Sequence, residues 1–131
     1  MAKAVHMMVR VLNEERSVAF YSRAFGLDVA DRYDFPDFTL VYLRNAEADF
    51  ELELTVNKDR ADPYELGNGY GHLAVVVDDL EATRAHLAEL GYFPKDIKQM
   101  VFNDKPFGKF FFIEDPDGYK IEVLEKGGRF K

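Results

Sequence analysis

The chain has no cysteine, no tryptophan and only three histidines. Without cysteine, a disulfide scaffold, a thiolate metal site and a cysteine nucleophile are all excluded. Positive charge is also in short supply: 17 Lys and Arg stand against 24 Asp and Glu, for a formal net charge of −7. Nucleic acid and anionic membranes both need clustered cations, so neither is expected as the main partner. No apolar run approaches the length of a membrane span, and the N-terminal MAKAVHMMVR carries no secretory pattern. A cytoplasmic protein is the expectation. What is abundant is apolar and aromatic: 47% of the 131 residues are hydrophobic, among them twelve Phe and seven Tyr. That supply suits one small domain, or two half-sized units that share a core.

Residues 5–12 alternate with period two, placing Val5, Met7, Val9 and Val11 on one face and His6, Met8, Arg10 and Leu12 on the other. Asn13 is a candidate helix N-cap, and Glu14 and Glu15 suit the positive first turn. Val18, Tyr21 and Phe25 then recur at helical spacing until Gly26. Strands are expected over 38–43 and 50–56, followed by a long loop, 57–71, with Pro63 and Gly67, Gly69 and Gly71. The order then restarts. Residues 72–77 read as a strand, Asp78 or Asp79 as a cap, and Leu80, Thr83, Leu87 and Leu90 as a helical stripe closed by Gly91. A strand over 110–113, a type I turn at Asp115-Pro116-Asp117-Gly118 and a returning strand over 119–124 complete the pattern.

The chain therefore reads strand–helix–strands twice. Nearly the same interval, roughly 65 to 70 residues, separates His6 from His72, Gly26 from Gly91 and Glu53 from Glu122. An internal duplication is the economical explanation, with halves of about 1–60 and 70–131 joined by the 57–71 loop.

Each half carries a His on its first strand and a Glu on its last. Alternation predicts one polar face bearing His6, Arg10, Glu53 and Asn57, and a polar face on an apolar sheet lines a cavity or an interface. Two imidazoles and two carboxylates make a mixed nitrogen–oxygen donor set suited to Ni²⁺, Co²⁺ or Zn²⁺. Four protein ligands leave two octahedral positions open, enough to polarise a carbonyl and stabilise an enediolate. A Glu beside such a metal can also shuttle a proton between neighbouring carbons. The plainer alternatives are structural histidines, and Glu51 and Glu53 on the solvent face of an edge strand. The doubled His…Glu arrangement weighs against them. His86, on a helix surface, has no counterpart and reads as solvated. The three loop glycines are followed by a strand rather than a helix, so they mark a linker and not a phosphate cradle.

These residues also carry a family resemblance. VHMMVRVLNEERSVAFYSRAFGL (5–27), ELTVN (53–57) with YELGNGYGHLA (64–74), and FIEDPDGYKIEVLE (112–125) resemble the glyoxalase I (lactoylglutathione lyase) family of the vicinal-oxygen-chelate superfamily. DPDGYKIE is shared widely there, whereas ELTxN with YGH is more specific. The resemblance implies an α+β protein of two tandem βαβββ modules forming curved sheets, the glyoxalase/bleomycin-resistance-like fold. It further implies a homodimer, with His6 and Glu53 meeting His72 and Glu122 of the partner subunit as four metal ligands. The implied reaction isomerises the hemithioacetal of glutathione and methylglyoxal to S-lactoylglutathione, with Glu122 as the base and Glu53 its counterpart. Arg10 and Asn57 match positions that hold the glutathione carboxylate, roles that a guanidinium and an amide can fill. The compact length resembles the bacterial, nickel-activated type.

Two departures stand out. Longer members carry Arg four residues before the second His, where this chain has Asn68, and 95–111 does not follow the usual loop. Lys105 or Lys109 is the candidate substrate cation there; the competing reading is a pair of solvated lysines. The alternatives in function are an epimerase or dioxygenase on the same scaffold, or a non-enzymatic resistance protein that sequesters a small molecule. The four ligand types together argue against the dioxygenase and against the resistance protein.

Overall fold

Asn13 shows how local chemistry sets the first helix. Its side-chain oxygen accepts from the Arg16 N–H at 2.9 Å, satisfying one of the orphan donors of the first turn. Asp79 does the same for Ala82, also at 2.9 Å, where the second helix begins. Gly26 ends the first helix in the left-handed region, φ 62°, with its N–H returned to Ser22.

The computed structural model describes residues 1–131 as two units, Met1–Glu65 and Leu66–Lys131. The first unit runs β1 (His6–Arg10), α1 (Glu14–Phe25), β2 (Asp28–Asp34), β3 (Phe38–Arg44) and β4 (Glu51–Asn57). Its sheet has the order β1-β4-β3-β2, with β1 parallel to β4 and the other pairs antiparallel. The second unit runs β5 (Leu73–Val77), α2 (Leu80–Glu89), β6 (Lys98–Phe102), β7 (Lys105–Glu114) and β8 (Lys120–Glu125). Its order, β5-β8-β7-β6, repeats the first, with β5 parallel to β8. Each unit is thus a βαβββ module on a mixed four-stranded sheet, the α+β architecture expected.

Burial alternates along the inner strands as a sheet with one helix-covered face requires. Thr39, Val41 and Leu43 on β3 and Leu52 and Leu54 on β4 are buried, as are Phe20 and Tyr21 of α1. In the second unit Phe111 and Ile113, then Ile121 and Val123, pack with Leu80 and Leu87 of α2. Residues between these point to the opposite face, and there the site residues lie.

Two strands lack the expected pattern. β2 (DVADRYD) and β6 (KQMVF) are edge strands with almost no buried residue, so no apolar alternation marks them. β2 carries a bulge at 29–31, a device that blunts an exposed edge, and the β6–β7 register slips at 100–101, where Phe107 of β7 is the extra residue. β7 accordingly begins at Lys105 rather than near Phe110. The apolar stripe of β1 also divides: Val9 and Val11 are buried, whereas Val5 and Met7 lie beyond the helix cover and are exposed.

Candidate metal centre

In the first unit β1 and β4 are parallel neighbours, and His6, Arg10, Glu51, Glu53, Thr55 and Asn57 share the face away from α1. His6 Nε2 stands 2.6 Å from Glu53 Oε2. β4 lies between β1 and β3 rather than at an edge, so Glu53 is 7% exposed and the solvent-face reading of this carboxylate falls away. Tyr42, directly across from Glu53 on β3, sets its ring edge-on to His6 at 5.7 Å. Burial first, then the Glu53 charge and a hydrogen bond to Glu53, push the Tyr42 phenol above its ordinary range.

The second unit repeats the geometry. His72 immediately precedes β5, and its Nε2 lies 3.5 Å from Glu122 Oε1 on the adjacent β8. Phe112 on β7 faces Glu122 and meets the His72 ring edge-on at 5.2 Å. The approach to His72 is built by the 115–119 turn. Asp115 Oδ1 accepts from the N–H groups of Asp117 and Tyr119, both at 2.9 Å, and closes the turn from inside. That turn presents the Tyr119 ring to Tyr70 at 5.1 Å, two residues before His72. Burial and the Asp115 charge raise the Tyr70 phenol.

Both imidazoles are more than a third exposed while both carboxylates are largely covered. Each pair therefore offers a borderline nitrogen donor and a hard oxygen donor with an open side. This chemistry fits Ni²⁺, Co²⁺ or Zn²⁺.

The remaining expected residues fall in different places. Arg10 is on the His6 face of β1. Asn57 closes β4 on that face and donates from Nδ2 to the Tyr64 hydroxyl at 3.0 Å. Arg60, unremarked in the sequence, holds the following loop: its guanidinium donates to the Asp62 and Pro63 carbonyls and lies over the Tyr64 ring at 4.4 Å. Lys109 is on the α2 side of β7, 2.5 Å from Glu81. Lys105 stands at the exposed start of β7, and Asn68 and His86 are exposed. The cations near the His72 pair are others. Lys95 and Lys98, with Asp96, Phe110 and Phe112, line an open depression of about 520 Å³. Arg84 secures this segment from α2, donating to the Lys95 carbonyl at 2.7 Å. Tyr42 and Lys98 could be found only from strand register, which alternation alone does not supply, and Lys95 lies in the connection before β6, where no periodicity marks it.

The family model of the Glyoxalase/Bleomycin resistance protein/Dioxygenase superfamily matches residues 3–123. Lactoylglutathione lyase of Neisseria meningitidis is 40% identical over 129 residues, covering 95% of this chain and 91% of the relative. The chain belongs to the glyoxalase I family. Among solved structures, the trypanothione-dependent glyoxalase I of Leishmania major is 31% identical with a TM-score of 0.77, over 95% of this chain and 87% of that one. Glyoxalase I of Zea mays gives a TM-score of 0.79 at 26% identity, over 96% of this chain and 45% of the maize chain. No helix of this glyoxalase I family member is long and apolar enough to cross a membrane.

Proposed function

We infer that the chain is a divalent-metal-dependent lactoylglutathione lyase of the cytoplasm, which removes methylglyoxal by isomerising its glutathione hemithioacetal to S-lactoylglutathione. One observation carries the metal site: each module of this glyoxalase I chain brings one His and one Glu together at matching positions. A single pair supplies two donors, too few to hold a metal ion with the four protein ligands that the donor set suggests. A complete set therefore takes both pairs, His6 with Glu53 and His72 with Glu122. In the reading adopted here they come from two subunits of a homodimer. Exposed apolar residues at the edge strands, Met7 on β1 with Val5 just before it and Val76 on β5, support a surface that a partner covers.

The chemistry supplied by a bound Ni²⁺, Co²⁺ or Zn²⁺ ion is Lewis acidity toward the substrate's vicinal oxygens, with Ni²⁺ favoured. Glu122 takes the proton from the hemithioacetal carbon and returns it to the neighbouring carbon, while Glu53 stands on the other side. Arg10 and Asn57 bind the carboxylate end of glutathione. On the second module Lys95 and Lys98 are better placed beside the His72 pair than Lys105 or Lys109, and they complement an anionic peptide in an otherwise acidic protein.

The test is hemithioacetal isomerisation by the chelated protein and after adding Ni²⁺, Co²⁺ or Zn²⁺. Chelation is expected to abolish turnover and at least Ni²⁺ to restore it. Silence with every metal, when glutathione and methylglyoxal are both present, overturns the reading.

A further inference from the structure

Strand register makes Tyr42 and Phe112 equivalent residues. Tyr42 sits opposite Glu53 in the β3–β4 pair, and Phe112 sits opposite Glu122 in the β7–β8 pair. Each ring meets its own module's histidine edge-on, at 5.7 Å and 5.2 Å. The two His–Glu pairs are thus built on the same three strands with the same aromatic backing. Between the two backing rings the difference is one oxygen atom, the phenol of Tyr42. The first pair is also the tighter, 2.6 Å against 3.5 Å, and its carboxylate the more covered.

A phenol donating to a carboxylate makes a strong, charge-assisted hydrogen bond and fixes which oxygen remains for the other partner. Tyr33, packed edge-on against Tyr42 at 6.2 Å, restrains the ring that carries the hydroxyl. The matching ring in the second module, Phe112, is packed against Phe110 at 5.6 Å and has no donor to offer. A carboxylate held from behind is suited to remain a ligand. One backed by a bare ring can change its position, as a group that takes up and returns a proton must.

We propose that Tyr42 is a positioning residue that locks Glu53 in place as a fixed ligand, and that Phe112, by lacking a hydroxyl, leaves Glu122 free to move the proton. The inference rests on the glyoxalase I reading above. It assigns the two halves of a duplicated site to different tasks through the residue behind each carboxylate.

Exchanging the hydroxyl tests it. Tyr42→Phe and Phe112→Tyr each change one oxygen, and unchanged circular dichroism and melting curves establish that both variants fold. Co²⁺ affinity by calorimetry and the visible Co²⁺ absorption spectrum report on the ligand set apart from activity. Tyr42→Phe is expected to weaken Co²⁺ binding by about tenfold and to shift the spectrum, as loss of a partner behind a ligand does. Phe112→Tyr is expected to leave Co²⁺ affinity equal or tighter and lower kcat by about tenfold with KM unchanged, because the base becomes tethered. A Tyr42→Phe protein with wild-type affinity and spectrum, or a Phe112→Tyr protein with wild-type kcat, overturns the proposal alone. Wild-type protein that takes up no Co²⁺ overturns the metal-site reading, and this inference with it.

Discussion

Glu53 and Glu122 are the same residue in the same place of a repeated module, and their surroundings separate them. Both carboxylates are largely covered, Glu53 beside His6 and Tyr42 and Glu122 beside His72 and Phe112. If Glu122 is the base, Glu122→Gln keeps its size and can still accept a hydrogen bond but cannot take the proton. Its kcat for hemithioacetal isomerisation is expected to fall by about 10²–10⁴-fold while the melting temperature stays near wild type. Steady-state kinetics with the refilled enzyme checks this, and retained turnover removes Glu122 from the role. The four candidate ligands were legible in the sequence because duplication repeats an interval, and two of only three histidines fall on it. Tyr42 was not legible. Its relation to Glu53 depends on which residues of β3 and β4 stand opposite each other, and composition does not encode that register. Lys98 was missed for the same reason: it reaches the depression beside Phe112 through an edge strand with no apolar period.

At the scale of the element, legibility follows burial. The helices announced themselves through their caps, while of the expected stripes only Tyr21, Leu80 and Leu87 are buried, with Ser17, Phe20 and Ala24 completing the covered face of the first helix. Asn13→Ala is expected to destabilise the protein by about 1 kcal/mol, the usual cost of losing a side-chain cap, read as a shift in the urea midpoint at constant slope. Leu54→Ala, at a fully buried position on the inner strand β4, is expected to cost about 2–5 kcal/mol in the same measurement. If both variants shift the midpoint equally, the core of the first module does not lie where the structure puts it. The inner strands β3, β4, β7 and β8 alternate because one face is covered by a helix and the other is not. β2 and β6 left no such trace. An edge strand hydrogen-bonds on one side only, and charge and, on β2, a bulge protect the other. The resemblance supplied βαβββ where periodicity alone read only strand–helix–strands.

For the whole molecule, the question is which two half-sites meet. A homodimer with composite sites makes a prediction that an intrachain site does not. One variant, His6→Ala with Glu53→Ala, has lost its first-module pair; another, His72→Ala with Glu122→Ala, has lost its second. Each homodimer is inactive, because every site contains one damaged half. In a mixed dimer one site combines both damaged halves, and the other combines the two intact halves. After equal amounts are unfolded together, refolded and supplied with Ni²⁺, half the dimers are mixed and each has one working site of two. Isomerase activity should then return to about a quarter of that of wild-type protein refolded alongside, given a symmetric pairing of identical chains. The proteins mixed without unfolding should recover only as fast as subunits exchange. If refolding together restores nothing while wild type recovers, the two pairs do not meet across a subunit interface.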